Sequence, residues 1–279
     1  MKTVADTLGV ARSNLVERAK PDRSLRSSYR KPDDSRILLL IRELVDARPT
    51  CGYRRITALL NRRLVVAGEA RVNHKRIYRI MQLHGMLLER HTGRRIGRAH
   101  DGTVRTLRSN TRWCSDGFEI ACWNGDTVCV AFVLDTCDRE AVTWTATTAG
   151  ISGEMIRDLL LVAVERRFAA YEAPQRIEFL ADNGSCYTAH ETIEFALSLG
   201  LMPRFTPVRS PESNGMAESF VKTFKRDYVR CNARPDAAAV LRQIGPWFED
   251  YNNSHPHRAL KMLSPREFIA ATSLAACPV

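Results

Sequence analysis

The 279-residue chain has no apolar run long enough to cross a membrane: uncharged ones such as residues 37–41 and 159–164 fall far short of the roughly 20 residues a bilayer demands. No membrane partner is expected. It also lacks an uninterrupted apolar stretch after Met1, because Asp6 already places a carboxylate there; no secretory leader is expected, and the chain is assigned to the cytoplasm. There is no C-x-x-C pair, and none of the eight cysteines combines with histidines at zinc-ligand spacing, which argues against a structural zinc site. Cys114, Cys122 and Cys129, set among strands, read as small buried hydrophobes. Compositional bias is missing too: 44% hydrophobic with 26% charged excludes collagen, low-complexity disorder and knottin-like scaffolds.

What is present is an uneven charge. Residues 1–110 carry 25 Lys+Arg against 10 Asp+Glu, and residues 111–279 carry 17 against 21, so a +15 part precedes a −4 part. This suits an N-terminal part adapted to a polyanion and a C-terminal part that uses carboxylates elsewhere. Residues 34–47 predict a helix, capped by Asp34 or Ser35, with Ile37, Leu38, Ile41, Leu44 and Val45 at helical spacing. Residues 53–64 predict a second, and Asn73 caps a third over 74–83, stopped at Gly85. Three short helices in this span resemble a helix-turn-helix. In the third, Ile77, Ile80 and Met81 point inward while Lys75, Arg76 and Arg79 project elsewhere, as the cations of a recognition helix do; a solvated basic face has the same appearance. Upstream, Ala5, Gly9 and Leu15 fall at the packing, turn and core positions of such a motif, so residues 1–19 read as a partial one whose beginning lies in another frame or was lost. Residues 20–33 read as a linker. Residues 90–112, with Arg90, Arg94, Arg95, Arg98, Arg105, Arg108 and Arg112 and no apolar stripe, read as a basic tether.

From Trp113 the pattern changes to strands over 113–120, 127–134 and 141–147, divided by turns at Asn124-Gly125 and Asp138-Arg139, which predicts an antiparallel meander. A helix over 153–168, a strand over 176–181, a helix running from a Thr188/Glu191 capping box to Leu199, a strand over 201–205 and a helix opened by Ser210-Pro211 follow. Asp116 falls inside the first strand, Asp182 ends the fourth, and Glu218 lies on the last helix; the carboxyl ends of neighbouring strands are a natural place for a site. Glu119, three residues along from Asp116, faces the other way, and Asp135 reads as a turn residue. Glu218, Lys222 and Lys225 recur at i, i+4 and i+7 and share one helix face, beside a buried stripe of Ala217, Val221, Phe224 and Tyr228.

The element order resembles the ribonuclease H-like fold of retroviral-type integrases and many transposases: α/β, a mixed five-stranded sheet with flanking helices, preceded by an all-α helix-turn-helix region. Each acid also has distinctive surroundings, Trp113-Cys114-Ser115-Asp116-Gly117-Phe118, Ala181-Asp182-Asn183-Gly184 and Ser213-Asn214-Gly215-Met216-Ala217-Glu218-Ser219-Phe220. Asp182 and Glu218 are separated by 35 residues, and Lys225 stands seven beyond the glutamate. With Cys51-Gly52-Tyr53-Arg54-Arg55-Ile56, Lys75 through Met81, and Tyr251-Asn252 through Pro256-His257, the stretch from 34 to 273 is similar to the second-frame (OrfB) DDE transposases of bacterial insertion sequences of the IS3 family, in its IS2-like branch. Cys51 stands where that family frequently has an aromatic and His255 where it frequently has arginine, departures that bear on DNA contacts.

The resemblance implies a D,D(35)E enzyme in which Asp116, Asp182 and Glu218 are both catalytic residues and metal ligands. Three carboxylates suit two Mg²⁺ ions about 3.5–4 Å apart, with Mn²⁺ able to substitute, Asp116 bridging both and the other acids completing one each. It further implies that the helix-turn-helix binds element ends, that the carboxylate site cleaves a strand and joins the freed 3′-hydroxyl to another phosphodiester, and that Lys225 holds the DNA terminus; Lys222, on the same helix face, suits a DNA phosphate as well, the alternative being an ordinary intrahelical pair with Glu218. Implied partners are terminal-repeat and target DNA, an upstream-frame (OrfA) product joined as a frameshift fusion, and further copies of the chain in a synaptic complex at the nucleoid. A non-catalytic DNA-binding regulator and a ribonuclease H-type nuclease are the alternatives, separated by a strand-joining assay.

Overall fold

β1 (Arg112–Ala121) alternates its side chains between two buried faces, with Cys114, Phe118 and Ile120 on one and Trp113 on the other. It is the central strand of the computed structural model, which describes residues 2–8, 31–89, 106–206 and 214–276. Gly9, Leu15, most of the 20–33 linker, five of the tether arginines (Arg90, Arg94, Arg95, Arg98 and Arg105) and Ser210-Pro211 lie outside the described residues. The chain forms two compact units, residues 1–40 and 41–279. The first contains α1 (Lys2–Leu8) and the opening turns of α2 (Asp34–Ala47). There the Asp33 carbonyl accepts from the Ile37 amide at 3.1 Å, so the cap falls one residue ahead of Asp34.

In the second unit α2 is followed by α3 (Tyr53–Val66) and α4 (His74–Leu83). Asn73 caps α4, its Oδ1 accepting from the Lys75 amide at 2.9 Å. The Asn61 side chain both donates to and accepts from the Val72 backbone, at 3.0 and 2.7 Å, and so fixes the turn between α3 and α4.

β1 pairs antiparallel with β2 (Thr127–Asp135), which pairs antiparallel with β3 (Ala141–Thr147); on its other side β1 runs parallel to β4 (Ile177–Ala181), which runs parallel to β5 (Leu201–Phe205). The order is β3-β2-β1-β4-β5. Parallel neighbours require crossovers, supplied by α5 (Gly153–Phe168) and by α6 (Ser185–Thr188) with α7 (His190–Ser198). α5 buries Ile156, Leu160 and Val164 against the Trp113 face. The opposite face is covered by α8 (Gly215–Phe224), its continuation as a π-helical turn (Lys225–Val229), and α9 (Ala237–Ser254). An aromatic cluster fills that layer, with Phe132–Phe220 centroids 4.4 Å apart, Phe224–Phe248 4.5 Å apart, and Trp144 stacked on Phe248 at 5.2 Å. At the start of β3 the Asn252 side chain bonds both the amide and the carbonyl of Ala141, each at 2.9 Å, and β5 carries Pro203 at its centre. α10 (Pro265–Ala276) closes the chain and runs past residue 273.

The Thr188/Glu191 capping box does not form. The segment after Gly184 makes its own short helix, so Thr188 ends α6 and its hydroxyl bonds back to the Gly184 carbonyl at 3.2 Å. Ala189 occupies the cap of α7, and Glu191 pairs instead with Arg157 of α5 at 3.1 Å.

Candidate active site

Asp116 lies midway along β1, half-buried, on the face covered by α8. The Gly117 amide donates to its Oδ1 at 2.8 Å. Burial first, then the fields of Asp182 and Glu218, together push the carboxyl up to about 6 against the opposing effects of that hydrogen bond and of Lys225. One carboxylate therefore feels the other two acids and the lysine together. The strand register explains the first pairing: β1 and β4 are matched through Cys114 and Leu180, and two residues beyond each come Asp116 and Asp182.

Three side chains hold the surroundings of these acids. Asn183 donates to the Thr206 carbonyl at 2.8 Å, tying the end of β4 to the end of β5. The buried Asn214, just ahead of α8, donates to the Ser115 carbonyl at 3.0 Å, which fixes the first turn of the Glu218 helix beside Asp116. Ser115 faces the other way, donating to the Phe132 carbonyl at 2.7 Å and meeting the Tyr187 hydroxyl at 2.8 Å. The Asn residues lie within the sequence motifs, but their partners are remote in sequence and no local pattern announces them.

Glu218, in the first turn of α8, is paired with the exposed Lys222 at 3.0 Å. Among the described residues no three His, Cys, Asp or Glu side chains converge closely enough to hold an ion. The three acids thus share a field without forming a closed cage. In donor chemistry and charge they fit a hard divalent cation: all oxygen, with Asp116 held up by burial and by two like charges. Lys225 begins the π-helical turn, and its Nζ lies 5.6 Å from the centroid of the Phe118 ring. Glu119 is exposed on the opposite face of β1, and the buried Asp135 serves its turn, accepting from the amides of Asn110 at 2.6 Å and Cys137 at 2.7 Å.

Of the α4 cations, Lys75 is exposed while Arg76 and Arg79 are half-buried. Other cations of the helical region turn inward. Arg48 forms two hydrogen bonds with Asp250, at 2.9 and 2.6 Å, and Tyr228 donates to the same carboxylate at 2.9 Å. Arg55 meets Asp227 of the π-helical turn at 3.0 Å, and Arg62 meets Glu267 at 2.5 Å. These contacts join the helical region to the sheet domain. Cys51 and His255, the two departures noted in the sequence, are both buried at this seam; they are interior residues and not DNA contacts. His255 and His257 stand 4.8 Å apart there, beside Tyr251.

Residues 107–211 match the family model described as Integrase core domain, residues 199–265 match a second model with that description, and residues 32–95 match an HTH-like domain. The fold is thus a ribonuclease H-like integrase core behind a helix-turn-helix region, the build of a metal-dependent, DNA-binding polynucleotidyl transferase. The chain is 60% identical over 192 residues to an uncharacterized protein of insertion element IS136 from Agrobacterium fabrum, covering 68% of this chain and 98% of that one. It is 50% identical over 241 residues to the Escherichia coli transposase InsD of insertion element IS2, covering 86% of this chain and 80% of that one. Among solved structures, a chain of the simian T-cell lymphotropic virus intasome in complex with PP2A regulatory subunit B56 gamma aligns with a TM-score of 0.49 at 17% identity, covering 82% of this chain and 73% of that chain. The chain belongs to the IS3 family of DDE transposases. No helix among the described residues is long and apolar enough to cross a membrane.

Proposed function

We propose that the chain binds insertion-sequence ends and cleaves and joins DNA strands there with Asp116, Asp182 and Glu218. The supporting observation is geometric: the register of β1 and β4 sets Asp116 and Asp182 at corresponding places on neighbouring strands, and the Asn214–Ser115 hydrogen bond sets the first turn of the Glu218 helix beside Asp116. Water attacks a phosphorus, the bond to the 3′-oxygen breaks, and that oxygen leaves as a 3′-hydroxyl; the hydroxyl then attacks a second phosphodiester, whose own 3′-oxygen leaves in turn. Bound Mg²⁺, as two ions with Mn²⁺ able to replace them, supplies the Lewis-acid charge this chemistry uses. Asp116, Asp182 and Glu218 would hold the ions, with Glu218 giving up Lys222 to do so. Lys222, once released, and Lys225 hold the DNA terminus, while Lys75, Arg76 and Arg79 face DNA from α4.

In this reading residues 1–19 are a partial helix-turn-helix, 20–33 a linker, 34–89 the DNA-binding domain, 90–112 a basic linker, 113–273 the catalytic core and 274–279 a tail. An upstream-frame product, fused by frameshifting, and further copies of the chain complete the synaptic complex, working at the nucleoid in the cytoplasm. Asp116→Asn, Asp182→Asn and Glu218→Gln are each expected to abolish cleavage and joining of labelled element ends in Mg²⁺ while leaving end binding intact. Strand joining retained by any one of them removes that residue from the site.

A further inference from the structure

A cleft of about 510 Å³ lies where α3 meets the turn after the 3₁₀ segment Arg258–Leu260, apart from the carboxylate cluster. Arg62 in its lining is already engaged: it donates to the carbonyls of Ser254 at 2.6 Å and Met262 at 3.0 Å, and it pairs with Glu267. Among the described residues Glu267 is the only acid lining the cleft, so this pair leaves no anion of theirs there to meet the remaining cations. Those are Arg54, Arg71 and Lys261, all exposed. Arg54 leans on Tyr53, with Nε 3.1 Å from the hydroxyl, whereas Arg71 and Lys261 have no ionic partner among the described residues.

Backbone geometry sets Lys261 apart from an ordinary surface lysine. Lys261 and Met262 are consecutive left-handed residues, at φ 55° and 68°. Side chains with a Cβ adopt that conformation in succession only where the surroundings impose it. Here the Met262 amide donates to the His257 carbonyl at 2.8 Å, the Leu263 amide to the Leu260 carbonyl at 3.0 Å, and Arg62 holds the Met262 carbonyl. The turn is over-determined, and it presents an exposed ammonium to a concavity lined by three guanidinium groups, of which, among the described residues, only that of Arg62 is paired with an acid. His74, the first residue of α4, also lines the cleft, so the cleft borders the start of that helix.

We propose that this cleft binds the sugar-phosphate backbone of the same DNA that α4 contacts, with Arg54 and Arg71 engaging phosphates from the helical region and Lys261 from the catalytic side. Guanidinium forks and an ammonium meet phosphate oxygens directly, and such contacts fix position without reading sequence. The inference rests on the reading of α4 as a DNA-facing helix, and the test separates the two.

Binding of the full chain to a labelled element-end duplex and to an unrelated duplex of equal length is measured across a salt series, for the parent, for Lys75→Ala and for the double variant Arg71→Ala/Lys261→Gly. Glycine is at home at φ 55°, so the double variant removes two charges without straining the turn. The double variant should bind both duplexes at least ten-fold more weakly, with the salt slope shallower by about 2. An unchanged slope overturns the proposal, as does a loss confined to the element end. Unchanged DNA binding with lost capture of purified upstream-frame product would make the cleft a polypeptide site and likewise overturn it. If Lys75→Ala is silent while the double variant weakens binding, the α4 reading fails and the cleft stands; the reverse result leaves α4 in place and removes the cleft.

Discussion

Asp182 depends on a residue without a side chain. The Gly184 amide donates to Asp182 Oδ1 at 3.1 Å, and a Cβ on Gly184 would stand at the same 3.1 Å from that oxygen and 3.5 Å from the Tyr187 ring. Gly184→Ala is expected to displace the carboxylate, lowering strand joining at least ten-fold while the melting temperature moves by no more than about 2 °C. Full joining by this variant would show that Asp182 tolerates the shift. Lys225 is tested in the opposite sense: Lys225→Ala should weaken joining and crosslinking to the terminal nucleotides while leaving the Mg²⁺ dependence of cleavage unchanged. Normal crosslinking would make it a surface lysine packed on Phe118. At this scale the motif residues were readable because their spacing and neighbours are distinctive. Asn183 and Asn214 were present in those motifs, but their work depends on carbonyls that only folding brings near.

Among elements, the limits of α5 and of the meander were legible in the sequence, as the agreement over residues 153–168 shows; Ser152 marks the start of α5, its hydroxyl accepting from the Met155 amide at 3.2 Å. Tertiary competition defeated the local reading elsewhere: Arg157 of a neighbouring helix takes Glu191, which sequence alone gave to Thr188. The π-helical turn had no local signature. It places Asp227 and Tyr228 where Arg55 and the Arg48-bound Asp250 meet them, so the helix bearing Glu218 and Lys225 is gripped by the helical region. Arg55→Ala should therefore reduce joining more than end binding, measured side by side on one DNA substrate; equal losses would make the pair a general stability contact. Asn252→Ala leaves the amide and carbonyl of Ala141 without their side-chain partner in a buried setting, and a loss of about 2–4 kcal/mol in urea unfolding is expected. A loss near zero would mean that water replaces the side chain.

For the molecule as a whole, the +15 of the first 110 residues overstates the charge available to DNA, because Arg48, Arg55 and Arg62 are committed to the seam. Composition cannot tell an inward arginine from an outward one. The same seam sets a pH dependence. Burial lowers His257 to about 3, with Arg139 and Arg55 adding to the effect, and lowers His255 well below its ordinary 6.5, with His257 and Arg55 adding. Below pH 6.5 the unfolded chain takes up protons that these folded imidazoles refuse, so their contribution is complete above that pH and is lost as pH falls toward 3. Asp116, held near 6, and Asp135, pushed up by burial and by Asp138, slope the other way at acid pH, so the histidine effect is read as a difference. His257→Gln should gain stability relative to the parent by about 1.4 kcal/mol per pH unit between pH 6 and 4.5, measured by urea unfolding. Parallel pH profiles would show that His257 titrates normally in the folded protein.

The two ends of the sheet carry a further consequence. A bare edge strand offers a ladder of unused donors and acceptors on which another chain can crystallise as one more strand. On β5 that ladder is interrupted by Pro203, which has no amide hydrogen to offer, and on β3 the first rung is already taken by the Asn252 amide group. A newcomer finds neither edge open from end to end. A fused backbone lattice of the kind that ends in fibres therefore has no uninterrupted edge on this sheet from which to grow.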